Sequence, residues 1–298
     1  RLVGSEMCIR DRYISRKVVF VSCLYDLSDD EFELVFSDMV GYTPRQLLSS
    51  LTLDESEFIH EFSADELDEP LGTEMRSLFY DRIRTSSLAM VLLNKSKEAR
   101  RLLLSYLQQE GFLNSKNPGM VDIGWKGNTN RVLNYILRRE ENTFSYLSFF
   151  LGVKETRHMI SSIGDYEAGY YFEDYIREPE YTYNLFALVY VLENYFSASD
   201  DSTLLRYREE DGIIYPEFSP NTISDSFKEK NQYILCLTEG FLDFVMGSDL
   251  LRYDLSSLFE DIGVPTLLRF ASCPSKPELR ILKDLTFNDI YVGDRKVV

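Results

Sequence analysis

Apolar residues along this chain recur at two spacings, one helical and one extended. Behind Ser28-Asp29-Asp30-Glu31, the residues Phe32, Val35, Phe36 and Met39 repeat every three or four positions. That pattern predicts an amphipathic helix, with Ser28 as N-cap and Glu31 reaching back in a capping box. Thr43-Pro44 opens another helix, with Pro44 at its first position and Leu47, Leu48 and Leu51 on one face. Residues 54–71 read as short helices and loop. Residues 73–93 read as a helix broken near Ser86-Ser87, and 96–110 as a strong helix ended by Gly111. Lys17 to Val21, apolar and β-branched, predicts a strand, as do Phe144 to Val153 and a short piece at Tyr170, Tyr171 and Phe172. Asp211-Gly212 between Leu205-Arg206-Tyr207 and Ile213-Ile214-Tyr215 predicts a hairpin. Helices are expected at 183–196, 224–246 and 249–260, and through most of 265–285.

One stretch adds chemistry. Met120-Val121-Asp122-Ile123 is an apolar run closed by an aspartate, with Asp122 read as the strand end. Gly124-Trp125-Lys126-Gly127-Asn128-Thr129-Asn130 follows as a glycine-containing turn. An amphipathic segment then starts at Arg131. Strand, tight loop and helix in that order suit an anion, because a helix N-terminus offers free N–H groups and partial positive charge. The amides of Gly127, Asn128 and Thr129 would face a phosphate, Lys126 would add a point charge, and Asp122 would take a sugar hydroxyl or Mg2+. Beyond that use of Mg2+, the residues fix no cofactor. The plainer reading is a tight βα turn in which Trp125, the only tryptophan, is a core anchor.

Composition narrows the function classes. With 298 residues, 49 acidic and 32 basic, the formal net charge is −17. Such a surface does not suit nonspecific nucleic-acid binding, which needs clustered Lys and Arg. Four cysteines (Cys8, Cys23, Cys236, Cys273) form no CxxC pair, and His60 and His158 are the only histidines, so no zinc site is expected. Scattered cysteines and the lack of a ~20-residue apolar run point to a cytoplasmic protein without a membrane span. Residues 1–12 show no period and resemble a translated sequencing-adapter artefact or a disordered arm. The expectation is therefore an N-terminally truncated chain, with 13–298 as a single α/β domain. Within it, a helix-rich insertion covers about 28–110, a core about 118–155 and a helical C-terminal part about 180–298.

Several segments in order resemble one family. Tyr13-Ile14-Ser15-Arg16-Lys17 is similar to its Y-x-S-R-R segment, and Val121 to Gly127 to its V-D-I-G-W-x-G hallmark. Leu192-Glu193-Asn194-Tyr195-Phe196-Ser197-Ala198 looks like L-E-x-x-F-S-A, Arg206 to Pro216 like the hairpin after it, and Phe270 to Leu282 like a closing helix. These are features of the C-terminal α/β domain of bacterial surface-polysaccharide biosynthesis proteins related to HAD-type hydrolases. The likeness spans most of Tyr13 to Asp289. Two departures stand out: no L-x-R-D-G loop precedes the motif, and Asn130 replaces a common glutamine. The loop also resembles, in arrangement, the phosphosugar loop of type I phosphoribosyltransferases.

The resemblance implies a parallel-sheet core, Rossmann-like or phosphoribosyltransferase-like, with many added helices. It implies a glycosyl- or phosphoribosyl-type transferase that binds a phosphorylated sugar donor and a glycan acceptor. The alternative is a noncatalytic module that docks or assists a HAD-type hydrolase, such as a domain upstream. HAD chemistry itself is not expected here. No strand-borne D-x-D is present, and Ser37-Asp38-Met39, which resembles another HAD motif, falls on the helix opened by Ser28.

Other candidate side chains each carry two readings. Asp122 and Glu193 are the catalytic candidates; Glu193 would act as a base tuned by burial, or be a helix carboxylate paired with Arg206. Gly124, Trp125, Lys126, Gly127, Asn128, Thr129, Asn130, Ser15, Arg16 and Arg206 are the substrate-binding candidates. Arg16 with Lys17 would clamp a second phosphate or form a solvated strand edge. Asp165, Tyr170 and Tyr171 would line a sugar wall or pack internally. His158 reads as a surface residue, and Glu98, Arg100 and Arg101 as an exposed helix face with local pairs.

Overall fold

The structure, a computed structural model, describes residues 13–140, 144–153, 168–173, 204–219, 273–282, 286–289 and 293–296, and single positions 236, 239, 240, 243, 265, 266, 269 and 270. In chain order the described elements are α1 (Arg16–Ser22), α2 (Asp29–Phe36), α3 (Pro44–Ser50), α4 (Glu55–Phe58), α5 (Ala64–Asp68), α6 (Thr73–Thr85), α7 (Leu88–Gln109), β1 (Gly119–Trp125) and α8 (Asn128–Glu140). After these come β2 (Leu147–Val153), β3 (Ala168–Glu173), β4 (Leu204–Glu210), β5 (Ile213–Phe218), α9 (Lys276–Leu282), β6 (Thr286–Asp289) and β7 (Gly293–Lys296). The chain is a mixed α/β protein. It divides into two compact units: Arg1–Pro118 with Asn128–Ser145 and Thr203–Ser219, and Gly119–Gly127 with Tyr146–Ser202 and Pro220–Val298. Among the described residues, no helix is long and apolar enough to cross a membrane. The helices expected at 183–196 and 249–260 lie outside the described residues, as does nearly all of 224–246.

The first unit is built around α1. Lys17 to Val21, expected as a strand, belongs to this helix. A five-residue apolar run has no decisive period, so its surroundings choose its conformation. Here Ser15 caps α1 by accepting from the Val18 amide, and Val18, Val19, Phe20, Val21 and Ser22 are all buried. A helix buried on nearly every side has no polar stripe to announce it. It packs on α7, α8 and the β4–β5 hairpin.

α7 presents Leu88, Leu92, Ser96, Leu103 and Leu107 along one buried stripe. It runs unbroken through residues 94 and 95, where two helices were expected. No Gly or Pro interrupts it, and its middle is anchored: Lys95 pairs with Glu57, and the Ser96 hydroxyl donates to the Leu24 carbonyl. The expected break at Ser86-Ser87 is present, separating α6 from α7. Gly111 ends α7 at φ 77°, with the Phe112 amide returning to the Leu107 carbonyl. Phe32, Phe36 and Tyr80, each in contact with the other two, and the buried Leu47, Leu48, Leu51, Phe58 and Leu67 fill the space under α2 to α6.

The hairpin forms where Asp211-Gly212 placed it. Both turn residues have positive φ, 52° and 78°, the twist that suits a two-residue hairpin loop. Tyr207 stacks on Tyr106 of α7, and Gln109 bonds both the N–H and the C=O of Ile214.

In the second unit, β1, β2 and β3 form a parallel sheet in that order, with Asp122 opposite Phe150 and Phe150 opposite Tyr170. Ser148, Phe150 and Gly152 alternate as buried positions of β2. Val121 and Phe149, paired on the other face, are 84% and 47% exposed. The strand expected from Phe144 begins at Leu147, and the antiparallel β6–β7 pair had no counterpart in the sequence reading.

Candidate anion site at the start of α8

β1 continues three residues past Asp122. Gly124 pairs with Gly152 and Trp125 with Val153, because β2 offers a partner at each position. Asp122 is therefore an interior strand residue and not the strand end. Gly124 and Trp125 belong to the ladder, and the turn contracts to Lys126 and Gly127. Gly127 takes φ 62°, a left-handed conformation that costs a non-glycine residue about 1–2 kcal/mol. Asp122 and Lys126 are half-buried and both engaged.

α8 begins at Asn128, so Asn128, Thr129 and Asn130 are its first three residues. Amides at that place have no intrahelical acceptor. The first turn holds no acidic residue and the last turn carries Arg138 and Arg139. The basic end thus complements the carbonyl end of the dipole, while the amide end has no carboxylate within its own helix.

That carboxylate comes from elsewhere in the same unit. The Asn128 side-chain amide donates to Asp38, which lies just past the end of α2 rather than on it. Arg131, one turn along, donates from Nη2 to the Leu34 carbonyl at 3.2 Å and to the Ser37 hydroxyl at 3.3 Å. Its Nε is buried and makes no hydrogen bond among the described residues. Burial lowers the Arg131 pKa from its ordinary value, and the charge of Asp38 opposes that shift. The start of α8 therefore has one cation, one anion and, at Asn128 and Thr129, two half-buried residues whose amides lie ahead of the helical hydrogen-bond ladder. Asn130 is fully buried, while Asn128 and Thr129 are half-buried.

Ser15 is occupied as the α1 cap and donates to the Leu204 carbonyl, two residues before Arg206. Arg16 is exposed. Arg206 is paired with Glu217 through two hydrogen bonds, at 3.0 and 2.8 Å. Glu193, His158 and Asp165 lie outside the described residues. Tyr170 and Tyr171 are in β3. Glu98 and Arg101 form the expected surface pair, but Arg100 turns inward to the carbonyls of Ser22 and Leu24. Among the described residues no three His, Cys, Asp or Glu side chains gather as a metal site.

Sequence reasoning missed a denser cluster in the same unit. Glu31 does not close a capping box: the Ser28 amide goes to Asp26, and Glu31 reaches further back. With 0% exposure, it accepts from the amides of Tyr25, Asp26 and Leu27, from the Tyr135 hydroxyl and from Arg139. Leu27 at φ 57° turns its amide into this nest. Arg100 and Arg139 lie over the Tyr25 ring, 3.6 and 4.4 Å from its centroid. The sequence signal was present: Tyr135 and Arg139 are four apart on α8, so they share a face. Their buried partner was not visible. The cluster fixes α8 against the segment joining α1 to α2. No protein-family model and no curated protein matches this chain.

Proposed function

We propose that the first turn of α8 holds the phosphate of a phosphorylated sugar donor. On this reading the chain is a sugar-transferring domain, of glycosyl or phosphoribosyl type, in cytoplasmic steps of bacterial surface-polysaccharide biosynthesis. One observation carries it: the half-buried Asn128 and Thr129 open a 13-residue helix that has no acid in its first turn and has Arg131 one turn along. An incoming phosphate would take the place of the Asp38 carboxylate at Asn128, exchanging one anion for a more highly charged one. Positioning and charge stabilisation, the main contributions to such transfer, need no covalent nucleophile. Three parallel strands in sequence order support a Rossmann-like or phosphoribosyltransferase-like core. Asp122 on a sugar hydroxyl, Lys126 on phosphate charge and Glu193 as a base toward the glycan acceptor are separate proposals.

Isothermal titration with ribose 5-phosphate and with inorganic phosphate tests the turn. Gly127→Val should weaken binding at least ~10-fold, about 1.4 kcal/mol, with an unchanged circular dichroism spectrum. Equal affinity in the variant and the parent removes the turn from the site.

The exposed pair Val121 and Phe149 favours a second reading, a noncatalytic module that docks a HAD-type hydrolase. Parallel sheets are ordinarily covered on both faces, so an uncovered apolar pair suits a partner. Val121→Asp with Phe149→Asp should then abolish co-elution with such a hydrolase and leave phosphate titration unchanged. Retained co-elution rejects this reading.

A further inference from the structure

We draw no further inference here: the strongest candidate, the side-chain cluster of Asp38, Asn128 and Arg131 at the first turn of α8, belongs to the site already described, and its one unpartnered atom, Arg131 Nε, sits on a guanidinium that Leu34 and Ser37 already hold.

Discussion

Glu31→Gln and Glu31→Ala should loosen the segment joining α1 to α2. Glu31 is wholly buried and collects five donor groups, three of them consecutive backbone amides at 2.9–3.1 Å. Removing one partner of a buried charged pair costs about 3–5 kcal/mol, because the donors left behind are desolvated and unmatched. The alanine variant should fall in that range. Glutamine keeps the volume and one acceptor oxygen, but turns an NH2 group toward N–H donors; losing charged hydrogen bonds there should cost about 2–3 kcal/mol. Arg139 is 40% exposed, so screening discounts its share, and Arg139→Ala should cost about 1 kcal/mol. Two compact units make a single global unfolding energy ill-defined. The assay is therefore native-state hydrogen exchange at the amides of Tyr25, Asp26 and Leu27. At tenfold per 1.4 kcal/mol, exchange should accelerate about 30-fold or more in the glutamine variant and over 100-fold in the alanine variant. Exchange within threefold of the parent in Glu31→Gln would refute the reasoning. So would equal effects of Glu31→Gln and Arg139→Ala, since the buried member must carry more.

Two further predictions use local geometry. Glu66 closes a capping box on α5: the Ser63 amide and hydroxyl and the Arg82 guanidinium hold its carboxyl down to about 2. A folded pKa below the unfolded value near 4.5 gives stability that is present above about pH 4.5 and is lost as pH falls toward 2. A carbon-13 titration of the Glu66 carboxyl should show that low midpoint, and Ser63→Ala should raise it; an ordinary midpoint in the parent overturns the assignment. In the hairpin turn, Gly212→Val should lower stability by about 1–2 kcal/mol, because its φ of 78° disfavours a β-branched side chain, while Asp211→Asn should be neutral. Thermal melting that ranks the two variants the other way would contradict the turn assignment.

Elements whose ends carry their own chemistry were legible in the sequence. Thr43-Pro44, Ser86-Ser87, Gly111 and Asp211-Gly212 each specify a backbone conformation within a few residues, and the structure has a helix start, a break, a helix end and a turn at those places. Elements defined by burial were harder. Lys17 to Val21 reads as a strand because a fully buried helix and a fully buried strand share one composition, and the decision rests on neighbours more than 70 residues away: Arg100 bonds the Ser22 carbonyl at the end of α1 and Ser96 the Leu24 carbonyl just past it. The same distance effect hid the role of Glu31. A local rule assigned it to Ser28, three residues back, whereas its partners Tyr135 and Arg139 lie more than 100 positions on.

The candidate site shows the same division of information. Gly127 and a helix soon after it follow from local rules, since a glycine and an amphipathic run fix a turn and a helix, but α8 starts at Asn128, three residues before the expected Arg131. How far β1 extends does not, because the length of a strand is set by its partner. β2 matches Gly124 with Gly152, and that pairing shifts Asp122 from the mouth of the loop into the body of the strand. Asp38 is likewise set by tertiary contact: nothing near residue 128 in sequence announces that a carboxylate 90 positions earlier meets Asn128. The consequence is energetic. On the proposed reading, an anion at α8 would compete with an internal carboxylate, so the free energy available for binding would be the difference between two anions at one turn. Monovalent anions should gain little over Asp38 there. The site would select ligands of higher charge, which is why phosphate and phosphorylated sugars are the discriminating probes.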